Sequence, residues 1–237
     1  GLVRDSCYVL AHRDPALAND RGLDAELRRL AGAEIEVIGA DALHEMEPDL
    51  SPEFRAAVVV HGQARALSPG RLMAVLADKL RASGGEVLQR KVRALRPDAQ
   101  GGWQIECEGE TLSAARIVVS AGAWSARLLA PLGIRLPLEA ERGYHVMFAD
   151  PGVSLRNSVM DTDRKFVASS MEDGLRAAGT AEFAGLDALP DPRRAETIAG
   201  LARQLVPGLN TKGATTWSGL RPSFPDSLPV IGEMPGH

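Results

Sequence analysis

The chain has 237 residues, 45% hydrophobic and 24% charged, with a net charge of −4. That is material for one large domain or two intertwined small ones with an ordinary apolar core. An acidic balance without a lysine–arginine run argues against nucleic acid as a partner, and the longest apolar runs, such as Ala56-Ala-Val-Val-Val60, are far too short to span a bilayer.

In chain order, Cys7 to His12 reads as a strand. Asp14 reads as a helix N-cap with Pro15 at the first helical position, and Leu23, Leu27 and Leu30 follow at helical spacing up to Gly32. Glu34 to Ile38 predicts a short strand, and Asp41 to Glu47 a helical turn stopped by Pro48. Ser68-Pro69 opens the clearest helix, with Leu72, Val75, Leu76 and Leu80 on one face and Gly84-Gly85 at its end. Glu86 to Leu95 suggests one or two strands. Trp103, Ile105 and Cys107 alternate with polar residues as a half-buried strand, with a hairpin turn at Glu108-Gly109-Glu110. Arg116-Ile-Val-Val-Ser120 reads as a buried strand that breaks at Ala121-Gly122, before a helix from Trp124 or Ser125 to Leu129.

After Pro137 the texture changes. Tyr144, Val146 and Phe148 alternate, then Lys165 to Ser169 and Gly174 to Phe183, which predicts an antiparallel sheet. Asp191-Pro192 opens a helix with Ile198, Leu201, Ala202 and Leu205 on one face, closed by Pro207-Gly208, and a last strand is expected from Gly213 to Gly219. A β/α-like middle, roughly 62 to 135, is flanked by segments of another character. That interruption suggests two domains woven from alternating stretches of one chain.

Cys7 and Cys107, a hundred positions apart with no CxxC spacing, argue against a disulfide framework or a zinc site and fit free thiols in a reducing cytosol. The five histidines (His12, His44, His61, His145 and His237) show neither HExxH nor an i, i+4 pair, so no metal is expected. No GxSxG elbow and no GxxxxGK[ST] loop occurs. None of the 24 glycines has another two positions away, so a GxGxxG dinucleotide loop is absent. The start, Gly1-Leu-Val-Arg-Asp, has no features of a secretory leader, and the abrupt ends without an initiator methionine read as a fragment.

Two stretches invite chemistry. Val118-Val-Ser-Ala-Gly-Ala-Trp-Ser125 runs from an apolar strand through a glycine turn into a helix, where backbone can approach a ligand closely. Gly219-Leu-Arg-Pro-Ser-Phe-Pro-Asp-Ser-Leu-Pro-Val-Ile-Gly232 places Arg221 at the mouth of a turn-rich segment stiffened by Pro222, Pro225 and Pro229. A guanidinium held there can clamp a carboxylate by two parallel hydrogen bonds. Read alone, each stretch also fits a tight turn or a surface arginine without a ligand.

With Glu141-Arg-Gly-Tyr-His145 and Met171-Glu-Asp-Gly-Leu-Arg-Ala-Ala-Gly-Thr-Ala-Glu-Phe183, these two stretches occur in an order and at separations that resemble the D-amino-acid oxidase superfamily of flavoproteins, bacterial D-amino-acid dehydrogenases above all. The resemblance implies an α+β fold: an antiparallel-sheet substrate domain (1–61 and 136–217) interwoven with an incomplete Rossmann-like FAD-binding domain (62–135 and 218–237). It implies oxidation of a D-amino acid to an imine by hydride transfer to FAD, with Arg221 anchoring the substrate carboxylate and Tyr144, His145 and His61 as pocket residues. Val92, Ala121, Gly122 and Trp124 would touch the cofactor. The family's GxGxxG unit lies upstream of Gly1, so FAD is not expected to be retained by this stretch alone. The partner is then a small amino acid. The electron acceptor (oxygen, a quinone or a carrier protein) and the oligomeric state stay open, and the location is cytoplasmic or peripheral at the inner face of the membrane. The alternatives are a non-catalytic carboxylate- or partner-binding module, or a flavoenzyme of secondary amines such as sarcosine or proline.

Overall fold

The computed structural model describes residues 1–19 and 21–234. The end of the expected FAD-domain segment, 235–237 with His237, lies outside the described residues. In chain order the elements are strand β1 (Val3–His12), helix α1 (Leu23–Leu30), β2 (Ile35–Gly39), α2 (Ala40–Met46), β3 (Ala56–Ala66), α3 (Pro69–Ala82), β4 (Val92–Pro97), β5 (Trp103–Cys107), β6 (Thr111–Ala114), α4 (Ser125–Leu129), β7 (Glu139–Phe148), β8 (Ser158–Asp161), β9 (Phe166–Met171), β10 (Gly174–Phe183), α5 (Pro192–Leu205) and β11 (Thr215–Ser223). Eight strands form one sheet in the order β11-β7-β10-β9-β8-β1-β3-β2, and three form a second, β4-β5-β6. The larger sheet is mixed, because β1 pairs with β8 in parallel while its pairing with β3 is antiparallel. The fold is therefore of the α+β kind, helices beside a large mixed sheet and a small antiparallel one.

By internal contacts the chain divides into two compact units. The first comprises Gly1–Lys79, Tyr144–Thr180 and Asp191–Ser218. Its core is built from Val9, Phe54, Val59, Val146, Phe166 and Leu175, among others, closed by Leu43 of α2 and Ile198, Ala202 and Leu205 of α5. Each valine, leucine, isoleucine or phenylalanine among them, fully withdrawn from water, contributes about 1.5–3 kcal/mol. α5 begins where the sequence predicts, with the Asp191 carboxylate accepting the Arg193 N–H at 3.0 Å and proline in the first turn. Two buried acids are satisfied at the end of β8 and after α2. Asp161 takes both arms of the Arg13 guanidinium at 3.0 Å each. Glu47 accepts the backbone N–H groups of Arg156 and Asn157 at 2.8 and 2.7 Å.

The second unit comprises Leu80–Gly143, Ala181–Pro190 and Gly219–His237. Its antiparallel meander β4-β5-β6 buries Leu95 and Trp103. Glu108-Gly109-Glu110 makes the tight turn between β5 and β6, Gly109 supplying a φ of 89°.

Several expectations need correction. Asp14-Pro15 caps a single 3-10 turn, Pro15–Leu17, and not the leucine helix, which starts separately as α1. Leu23, Leu27 and Leu30 of α1 and Val75, Leu76 and Leu80 of α3 are exposed. Helical spacing creates a face; it does not specify what the face meets. Of the one or two strands expected over Glu86 to Leu95, one forms, β4, but it starts only at Val92 and runs on to Pro97. After α3, the middle of the chain forms an antiparallel meander in place of a β/α pattern. Arg116-Ile-Val-Val-Ser120 joins no strand among the described residues, and Val118 is 90% exposed. β11 extends beyond Gly219 to Ser223, so Arg221 sits in a strand. The Pro222 that follows is tolerated because β11 is an edge strand.

Candidate functional site

In the second unit, the side chain of Arg221 is 54% exposed and its Nη2 lies 2.8 Å from Glu141 Oε1. The other oxygen of Glu141 accepts the Ser223 hydroxyl. The guanidinium lies flat against Gly143, where an added Cβ would stand 3.2 Å from both Nε and Nη2. A carboxylate, a hydroxyl and a residue without a side chain thus fix the plane of an exposed cation. The arrangement suits recognition of an anion: the charge is permanent, and the entropy of ordering a long side chain is already spent.

Along β7 the burial alternates. Ala140, Arg142, Tyr144, Val146 and Phe148 are buried, and Glu141, Gly143 and His145 lie on the other side. Tyr144 and His145, neighbours in sequence, therefore face opposite ways. The Tyr144 hydroxyl accepts the Asp191 N–H at 2.9 Å, and its ring lies under the Arg194 guanidinium at 5.9 Å, which makes it a prop for the start of α5. His145 instead stacks on Trp217 of β11, ring centroids 4.9 Å apart. Burial, followed by the charge of Arg176, pushes its pKa down, so His145 is neutral at neutral pH. Tyr144, His145, Arg176, Asp191, Arg194 and Trp217 belong to the first unit. So does His61, which is engaged elsewhere: Nε2 is 3.1 Å from Glu36 and Nδ1 is 3.6 Å from the Cys7 sulfur.

The remaining expected residues all lie in the second unit. Val92 opens β4, 39% exposed, opposite Cys107. Ala121 precedes the 3-10 turn Gly122–Trp124, which leads directly into α4, and α4 packs against β4. The turn needs the left-handed backbone of Gly122 (φ 57°), whose Cα faces open space. Trp124 is 50% exposed. The structure thus places the Val92 strand beside the helix that follows this turn.

Sequence reasoning missed Ser223, Trp217 and the role of Glu141. The signal for Trp217 and Ser223 is parity: in a strand that runs through Arg221 they fall at i−4 and i+2, on the same side. A strand ended at Gly219 hides that relation. Glu141 had only its charge to recommend it. Among the described residues no cluster of His, Cys, Asp and Glu suits a metal ion, and no helix is long and apolar enough to cross a membrane.

Comparison with known proteins adds four findings. A family model described as FAD dependent oxidoreductase (DAO) matches residues 1–237. A D-amino-acid oxidase of Bradyrhizobium diazoefficiens is 38% identical over 226 residues, 93% of this chain and 54% of that protein. A D-amino acid dehydrogenase of Dechloromonas aromatica is 32% identical over 236 residues, 98% of this chain and 51% of that protein. The crystal structure of glycine oxidase from Geobacillus kaustophilus superposes with a TM-score of 0.84 at 23% identity, covering 99% of this chain and 64% of that one, which is a likeness of fold. The chain spans about half the length of the curated relatives it matches.

Proposed function

The chain belongs to the family of FAD-dependent oxidoreductases, and on that premise we propose that it forms part of an enzyme that oxidises D-amino acids to imines, which water converts to keto acid and ammonia. The observation that carries this reading is Arg221, exposed and held in a fixed plane by Glu141 and Gly143. Its charge and planar fork match a substrate carboxylate, which it would bind and orient through charge-assisted hydrogen bonds. In the first unit, Tyr144, His145 and His61 are the pocket candidates, and the lowered pKa of His145, stacked on Trp217, leaves its ring uncharged towards a substrate amine. We read the first unit as the substrate domain and the second as part of the FAD domain, although 62–79 fall in the first unit and 136–143 and 181–190 in the second.

The residues present fit one side of the cofactor. Val92 and Trp124 offer exposed apolar surface, and the open backbone at Ala121-Gly122 allows close approach. These four would hold the flavin dinucleotide. Bound FAD supplies the acceptor for a hydride from the substrate α-carbon. The chain's own residues then have only to bind, orient and exclude water, so no acid–base pair is required of them if the amine arrives neutral. We place the protein in the cytoplasm or peripherally at the inner face of the membrane.

The test is Arg221→Ala in the whole enzyme. Loss of a charge-assisted pair is worth about 1.5–3 kcal/mol, so kcat/KM for D-amino acids should fall by about 10- to 100-fold, with flavin content unchanged. Unaltered kinetics would remove Arg221 as the carboxylate anchor.

A further inference from the structure

In the first unit, three side chains from three adjacent strands converge at the rim of the core. Cys7 is on β1, His61 on β3 and Glu36 on β2. The register of β1 on β3 runs Ser6↔Gln63 and then Tyr8↔Val60, so Cys7 alone faces two residues, His61 and Gly62. This is a β-bulge, with Gly62 in the left-handed region at φ 65°. The extra residue brings His61 beside the thiol: Nδ1 is 3.6 Å from Sγ, within hydrogen-bond reach for the larger sulfur atom. Glu36 holds the far nitrogen, Nε2, at 3.1 Å. A carboxylate can only accept, so Nε2 carries a proton, and in the neutral ring Nδ1 then presents its lone pair to the S–H. The backbone of Cys7 is fixed as well. Its N–H donates to Asn157 Oδ1 at 2.7 Å, and Asn157 is gripped in turn by the buried Glu47.

We propose that Cys7 is a base-assisted thiol, with His61 as its general base and Glu36 as the positioning residue, and that it is a site of oxidation to sulfenic acid by a small neutral hydroperoxide. The geometry is nucleophile, base and orienter in series. Burial, Glu47 and Glu36 raise the Cys7 pKa, so the thiol stays protonated at neutral pH and reacts only if a base takes its proton in the act. The same two carboxylates disfavour an anionic reagent, and the partial burial of Cys7 disfavours a large one.

The step balances. The Sγ proton passes to His61 Nδ1, and the sulfur pair attacks the terminal oxygen of R–O–O–H. An S–O bond forms and the O–O bond breaks. Sulfur gives up two electrons to the peroxide, and the departing alkoxide takes the proton from His61, leaving Cys7–SOH and R–OH. With hydrogen peroxide the second product is water.

The internal control is Cys107, also partly buried, which makes no histidine hydrogen bond among the described residues. The full chain is treated with hydrogen peroxide in the presence of dimedone, and adducts are followed at each cysteine by mass spectrometry. Cys7 should be labelled at least about tenfold faster than Cys107, since a positioned general base is worth about 10²–10⁴-fold at best. His61→Ala should bring Cys7 down to the rate of Cys107, and added imidazole should restore much of the loss, which a purely structural role of His61 would not allow. Glu36→Gln, a change at an exposed position, should lower the rate less while leaving the fold intact. It keeps the test alive if His61→Ala fails to fold. Equal labelling of the two cysteines, or a Cys7 rate indifferent to both substitutions, overturns the proposal.

Discussion

Asp161 shows how one buried carboxylate is held charged. Burial by itself would raise its pKa, but the two hydrogen bonds from Arg13, the Arg164 N–H and the charges of both arginines outweigh that penalty and hold it below the usual range. Arg13 is itself pinned over the Phe54 ring at 4.3 Å. Asp161→Asn keeps the shape and removes the charge, leaving Arg13 without its best partner. Breaking such a buried pair costs about 3 kcal/mol. The sign with pH follows from the depressed folded-state pKa. The contribution is present above the unfolded-state pKa and is lost as pH falls through the folded one. Urea unfolding should therefore separate wild type and variant at neutral pH, and the gap should narrow as pH falls below about 4, the ordinary carboxylate value. A gap unchanged by acid would contradict the assignment. Nothing in the sequence marks this pair, because its members are 148 positions apart and only the fold brings them together.

At the scale of elements, periodicity carried most of the information. α5, α3, β5 and the β9-β10 hairpin lie within a few residues of where spacing and capping residues predict them: local propensity and burial agree in α5 and the hairpin, and in α3 the local signals suffice although its apolar face is exposed. The strand ending was the weak point: β11 continues through Arg221-Pro222 because an edge strand does not need every N–H, and that extension decides which side chains flank Arg221. Another local rule is visible at Gly174, the first residue of β10. Its φ is 127°, and a Cβ there would stand 2.1 Å from the carbonyl oxygen of Phe148 on β7. Gly174→Ala must push the strands apart. A loss of about 2–3 kcal/mol is expected, lowering Tm by about 4–12 °C. A thermal melt within about one degree of wild type would show that the contact yields cheaply.

For the molecule as a whole, the sequence showed the alternation of two kinds of segment but could not show what covers each surface. Arg116-Ile-Val-Val-Ser120 has the composition of a buried strand, yet Val118 is 90% exposed, because an apolar run states a preference for burial and does not supply the partner. Val87, Leu88, Val92 and Trp124 of the second unit are likewise exposed, which is surface available to a bound ligand or to further protein. The 237 residues hold no GxGxxG loop to cradle a pyrophosphate, and the cofactor residues proposed above would offer surface on one side only. The purified chain should accordingly be colourless. Stoichiometric flavin absorption after gel filtration would show that the contacts from the second unit suffice for tight binding.

The parallel pairing of β1 with β8 has a consequence for biogenesis. Tyr8 and Ser158 are register partners 150 positions apart. During synthesis at about 5–20 residues per second, β1 waits about 8–30 s for that neighbour. The antiparallel β1-β3-β2 group can assemble once β3 has emerged, but the other edge of β1, carrying Tyr8, Val9 and Leu10, then stands as an unpaired template until β8 emerges. Nascent chains of this protein thus pass through a window in which that edge is the place where misassembly begins, and a trigger factor or holdase that shields it would act before any cofactor is bound.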